Sequence, residues 1–128
     1  MGFFDKIFSS NSSGEKEESA IAWKALADVD QLDAIVEASK GKAQAIFKHS
    51  TRCGISRMVL SQFEKSFKAE TQIDMYFLDL LQHRDISNEI ANRFNVHHES
   101  PQFLIIKNGE VVKFASHSDI NSLDLLAF

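Results

Sequence analysis

Acidic residues are missing from one stretch of this chain, and cysteine and proline are nearly missing from all of it. A single cysteine, Cys53, excludes an internal disulfide framework and a cysteine-rich metal site. No segment approaches the roughly 20 apolar residues a bilayer-spanning helix needs. Met1–Phe8 carries Asp5 and Lys6 where a signal peptide would be continuously apolar, so the expected location is the cytoplasm, where thiols stay reduced. A net charge of −4, with no motif that reads DNA or RNA, argues against nucleic-acid binding. No HxxxH or CxxC spacing supports metal ligation, so the five histidines read as solvated or hydrogen-bonding groups. The missing acids are the most informative absence. Between Ala38 and Phe63 there is no Asp or Glu, but Lys40, Lys42, Lys48, Arg52 and Arg57 are present. The rest of the chain sets nine basic residues against all 18 acidic ones. The one thiol lies inside the basic window, a setting that favours thiolate and an anionic partner.

At 128 residues the chain can bury one core without staples. Residues 1–18 divide into a short amphipathic piece, in which Phe3, Phe4, Ile7 and Phe8 can share a face, and a polar, loop-like run from Ser9 to Glu18. They form an expected tail, and 19–128 the expected domain. From Ala20 the pattern alternates. Strands are predicted at Ile21–Leu26, Ala43–Lys48, Ile73–Leu80, Phe103–Ile106 and Val111–Phe114. Helices are predicted from Asp28 or Asp30 to Ser39, from Cys53 to about Ala69, over Ile86–Phe94 behind Asp85 or Ser87, and from Ser118 or Asp119 to about Leu126. In the second helix, Ile55, Met58, Val59, Phe63 and Phe67 follow the spacing of one inward face. Asn108-Gly109 between apolar runs marks a hairpin. The order is that of an α/β fold, a mixed sheet with helices on both faces, parallel in its βαβ units and closed by an antiparallel hairpin.

Cys53 falls between a strand and a helix, at the strand end where open α/β sheets place their sites. Its neighbours Thr51, Gly54 and Ser56 are small and polar, and Arg52 and Arg57 bracket it. A lone cysteine is commonly just a small buried hydrophobe; this setting is not core-like. Unpaired N–H groups and the helix dipole favour the anion there. Pro101, the only proline, stands directly before a predicted strand. It reads either as a simple turn marker or as a cis Ser100–Pro101 bond lying beside Cys53.

The segments His49-Ser50-Thr51-Arg52-Cys53-Gly54-Ile55-Ser56, Ser87-Asn88-Glu89-Ile90-Ala91, His98-Glu99-Ser100-Pro101-Gln102 and Ser116-His117 together resemble the monothiol bacilliredoxins, the YtxJ-like branch of the thioredoxin-like superfamily. The resemblance runs from about Ala20 to the C-terminus. It implies a thioredoxin-like fold and redox exchange with bacillithiol, a cysteine–glucosamine–malate thiol that some bacteria use in place of glutathione. Cys53 would then be catalytic. Thr51, Arg52, Gly54, Ser56, Ser100, Pro101 and Gln102 would bind the substrate or its thiol, with Lys48, His49, Arg57 and His117 lining the cleft. Lys48, Arg52 or Arg57 would suit the malate carboxylates. Partners would be bacillithiolated client proteins, bacillithiol itself and a bacillithiol disulfide reductase; no metal is implied.

Three departures stand out. Ser56 occupies the place of the second thioredoxin cysteine, Phe47 that of the buried acid, and Gly54 that of a proline common in the family. The expected activity is removal of bacillithiol from protein mixed disulfides by a monothiol thiol–disulfide oxidoreductase. Two rivals compete with it. Cys53-Gly54-Ile55-Ser56 is also similar to the motif of monothiol glutaredoxins that carry iron–sulfur clusters, although their later double-glycine and acidic stretch is absent. A non-enzymatic adaptor docking through Phe3, Phe4, Ile7 and Phe8 is the other.

Overall fold

Strict alternation along Gln44–His49 sets up two cores at once. Ala45 and Phe47 point to one face of the sheet and Ile46 to the other, and all six residues of this strand are buried. The computed structural model describes residues 21–128, so the expected N-terminal tail lies outside the described residues. The elements are β1 (Lys24–Ala25), α1 (Gln31–Ala38), β2 (Gln44–His49), α2 (Gly54–Ser66), β3 (Asp74–Asp79), α3 (Arg84–Phe94), β4 (Gln102–Lys107) and β5 (Glu110–Ser116). Two 3₁₀ turns follow, His117–Ser122 and Leu125–Ala127.

The five strands lie in the order β1-β3-β2-β4-β5. β1 and β2 run parallel to β3, whereas β4 is antiparallel to both β2 and β5. This is the expected mixed sheet. On one face Phe47, Val59, Phe63, Met75, Phe103, Ile105 and Ile120 join α2 and the 3₁₀ turn to the sheet. On the other, Leu32, Ile35, Ile46, Leu78, Ile86, Ile90 and Leu104 pack under α1 and α3. Asn108 and Gly109 both take positive φ (54° and 79°), the conformation of the tight hairpin their sequence predicts. Their N–H groups donate to Ser39 O (2.9 Å) and Ser39 Oγ (2.8 Å), pinning the hairpin to the end of α1.

Three expectations are corrected. The first strand shrinks to two paired residues at the edge. The last helix is two short 3₁₀ turns, because Leu123 takes extended backbone (φ −75°, ψ 141°) between them while Ile120, Leu123 and Leu125 all reach the core. The start of α3 also differs: it follows His83, ahead of both expected caps, whereas α1 begins after Asp30 as expected, neither with a side-chain cap bond. Ser87, expected as a cap, is instead buried within α3.

Candidate active site

The sheet positions the thiol by ending β2 four residues before it. After His49 the chain turns through Ser50-Thr51-Arg52, closed by Cys53 N–H donating to Ser50 O (3.2 Å). Cys53 then caps α2 in extended backbone conformation (φ −99°, ψ 121°), with Arg57 N–H donating to its carbonyl (3.1 Å). The cysteine is free and partly exposed. Around it Thr51, Arg52, Gly54, Arg57, Ile55 and Met58 are exposed. Arg57 Nη1 donates to Thr51 O (3.2 Å), so one guanidinium folds back over the turn. Neither Arg52 nor Arg57 is in an ion pair with a carboxylate among the described residues.

The second turn meets this one at the same end of the sheet. Lys48 pairs with Gln102 in the β2–β4 register, so Pro101, one residue earlier, sits at the level of His49. The Ser100–Pro101 bond is cis, and Pro101 is buried. His117, which also has positive φ (56°), donates its N–H to Pro101 O (2.9 Å), carrying the β4–β5 ladder one step past Gln102 and Ser116. Ser100 Oγ is buried without a hydrogen-bond partner. Cys53, Ser100, Pro101 and His117 are thereby gathered from three separate stretches of sequence.

Other expected site residues lie elsewhere. Lys48 is fully buried and faces the α3 side of the sheet, where Nζ meets His98 Nδ1 (3.2 Å) and Ser87 O (3.5 Å). Burial alone lowers its amine to a pKa of about 8. It cannot dock an anion on the surface. Gln102, its neighbour across the strands, is also fully buried; Nε2 donates to His97 O (2.9 Å), and Oε1 has no partner. His98 closes the group by meeting Ser87 Oγ (3.3 Å), and burial, then the charges of Lys48, His97 and Arg84, press its pKa down against a smaller opposing effect from Glu99. Lys48, Ser87, His98 and Gln102 thus lash α3 and the loop before Pro101 to the sheet. They position the site from behind.

Ser56 is fully buried as well, so its side chain is closed to a ligand. Its Oγ accepts from Ser50 N–H (3.1 Å) and lies 2.8 Å from His49 Nδ1. His49 is buried beside Phe47 and Phe77, and desolvation, the largest influence, lowers its pKa, opposed by Asp79 and Glu64 and aided by Arg57. The sequence reading named these two residues but not their pairing. Two spacings carry that signal: His49 lies two residues beyond Phe47 on the same strand face, and Ser56 lies three beyond Cys53 on a helix.

Residues 24–125 match the family model of the monothiol bacilliredoxin BrxC. The chain belongs to the monothiol bacilliredoxin family. A solved structure described as a candidate oxidoreductase with a thioredoxin fold is 40% identical to this bacilliredoxin, with a TM-score of 0.68, covering 77% of this chain and 86% of the other. Two thioredoxins, from Malassezia sympodialis and Fasciola hepatica, are each 21% identical. The first gives a TM-score of 0.64 over 85% of this chain and 90% of its own, the second 0.60 over 74% and 86%. These two show the fold, which is thioredoxin-like. Family and fold together make this bacilliredoxin a thiol oxidoreductase. Among the described residues no helix is long and apolar enough to cross a membrane.

Proposed function

We propose that this bacilliredoxin removes bacillithiol from protein mixed disulfides through Cys53. The observation that carries the reading is the partly exposed thiol at the head of α2 with a buried serine, not a second cysteine, one turn further on. Cys53 thiolate attacks the bacillithiol sulfur of a client mixed disulfide. A Cys53–bacillithiol disulfide forms, the client sulfur leaves as thiolate, and it takes a proton from solvent. With no second thiol in the chain, resolution must come from outside: another bacillithiol thiolate attacks the bound bacillithiol sulfur, regenerating Cys53 and yielding bacillithiol disulfide, or a reductase supplies the electrons. Arg52 and Arg57 are the exposed cations available to the malate carboxylates. Ser100 and Pro101 would seat the client backbone beside the sulfur through main-chain hydrogen bonds.

Intact-mass measurement after incubation with bacillithiol disulfide, glutathione disulfide or coenzyme A disulfide tests this. The expected outcome is one bacillithiol adduct that is lost in C53S and that forms faster than either alternative. Equal or faster adduct formation with glutathione or coenzyme A would leave a thiol oxidoreductase with a different thiol partner.

A further inference from the structure

We propose that His49, acting through Ser56, is a positioning residue for Cys53 in thiol exchange: it sets the direction of the Ser56 hydroxyl and so fixes the turn that presents the thiol. The inference rests on the thiol-exchange reading and extends it to a buried pair. Ser56 Oγ is the single point on which two contacts converge, Ser50 N–H at 3.1 Å and His49 Nδ1 at 2.8 Å. Ser50 and Cys53 are the two ends of the turn, joined by Cys53 N–H to Ser50 O. Ser56 therefore anchors the start of the turn from within the helix that the turn leads into. A cysteine at this place in dithiol relatives would resolve a disulfide; here the place holds a clamp.

A hydroxyl has one hydrogen and two lone pairs. With His49 neutral and Nδ1 bare, Ser56 donates to the ring and offers a lone pair to Ser50 N–H, satisfying all three groups. The depressed pKa of His49 keeps it in that form near neutrality. Protonation makes Nδ1 a donor. Ser56 Oγ must then accept from both neighbours, and its own hydrogen loses its buried partner. Charged groups facing the ring come from two elements: Asp79 on β3, and Arg57 and Glu64 on α2.

The test reads Cys53 reactivity with iodoacetamide and with a neutral aromatic disulfide, so it does not depend on bacillithiol. Losing a buried hydrogen bond of this kind is expected to slow both reactions about tenfold in S56A and in H49L. The double variant S56A/H49L should be no slower than either single one. H49N, whose amide oxygen falls where Nδ1 does and does not titrate, should recover most of the rate lost in H49L. In the intact parent, the amide resonance of Ser50 should titrate with the same midpoint as the His49 ring, and should be flat in H49N. Parent-like rates in S56A and H49L, additive losses in the double variant, or a Ser50 amide that ignores the His49 titration would each overturn the proposal. A normal result here with no bacillithiol adduct would instead overturn only the identity of the thiol partner.

Discussion

Lys48 shows how one residue can be correct in place and wrong in role. As a cation near the thiol it reads as an anion-docking group, yet strand alternation sends it to the face opposite Phe47 and His49. There it is a desolvated amine with no carboxylate partner among the described residues. Replacing a buried charge by a hydrophobe of similar volume is commonly neutral or stabilising, and His98 would keep its contact with Ser87. K48M should therefore fold with stability within about 1 kcal/mol of the parent near neutral pH. The sign of its pH dependence follows from the lowered pKa. Between about 8 and the unfolded value near 10.4 the unfolded chain holds more protons than the folded one, so the parent gains stability as pH rises. K48M lacks that contribution. Urea unfolding of both proteins at pH 7 and pH 10 should show the parent gaining on K48M at the higher pH; a constant difference would contradict the buried, desolvated amine. Exchange of K48M with anionic and neutral disulfides should fall, if at all, by the same factor.

Among the elements, those with long apolar periods were legible. β2, β3, β4 and α2 lie within a few residues of their predicted spans because their patterns meet a two-sided core. The face of α2 was less legible: Ile55 and Met58 fit the inward spacing but are more than half exposed, while Ser56 is buried. Ser56, Val59 and Phe63 define the buried face of α2, while Ile55 and Met58 each lie one residue before a member of it and turn toward solvent, so the site's own clamp takes the inward position. Two glycines make the same distinction testable. Gly54 opens α2 with nothing within 4 Å of an added Cβ, so G54A should raise stability by roughly 0.5–1 kcal/mol by restricting the unfolded chain. Gly109 has φ of +79° in the hairpin and Val36 Cγ1 3.5 Å from an added Cβ, so G109A should lower stability by about 1 kcal/mol. Thermal unfolding of the pair should move the midpoint in opposite directions, and a fall for G54A would mean that the thiol turn needs the glycine.

At the scale of the whole molecule, the basic window of the sequence does not survive folding as a basic patch. Lys40 and Lys42 lie at the far end of β2 and pair with Glu37 and Asp74, and Lys48 is buried. Only Arg52 and Arg57 remain beside Cys53, exposed and without carboxylate partners among the described residues. Linear charge counts cannot see which end of a strand a lysine occupies, but the fold decides it. On a protein of net charge −4, two such cations give the thiol a local field opposite to that of the remaining surface. An anionic disulfide should therefore depend on them far more than a neutral one. R52Q and R57Q should each slow exchange with an anionic mixed disulfide by about two- to fivefold, the range expected of exposed charge pairs. Both should leave a neutral disulfide within about twofold, and raising the salt to roughly 0.5 M should erase most of the difference between parent and variants. Equal losses on both substrates, insensitive to salt, would assign the arginines to holding the thiol turn, as the Arg57–Thr51 bond alone would do, and remove the electrostatic argument for an anionic thiol partner.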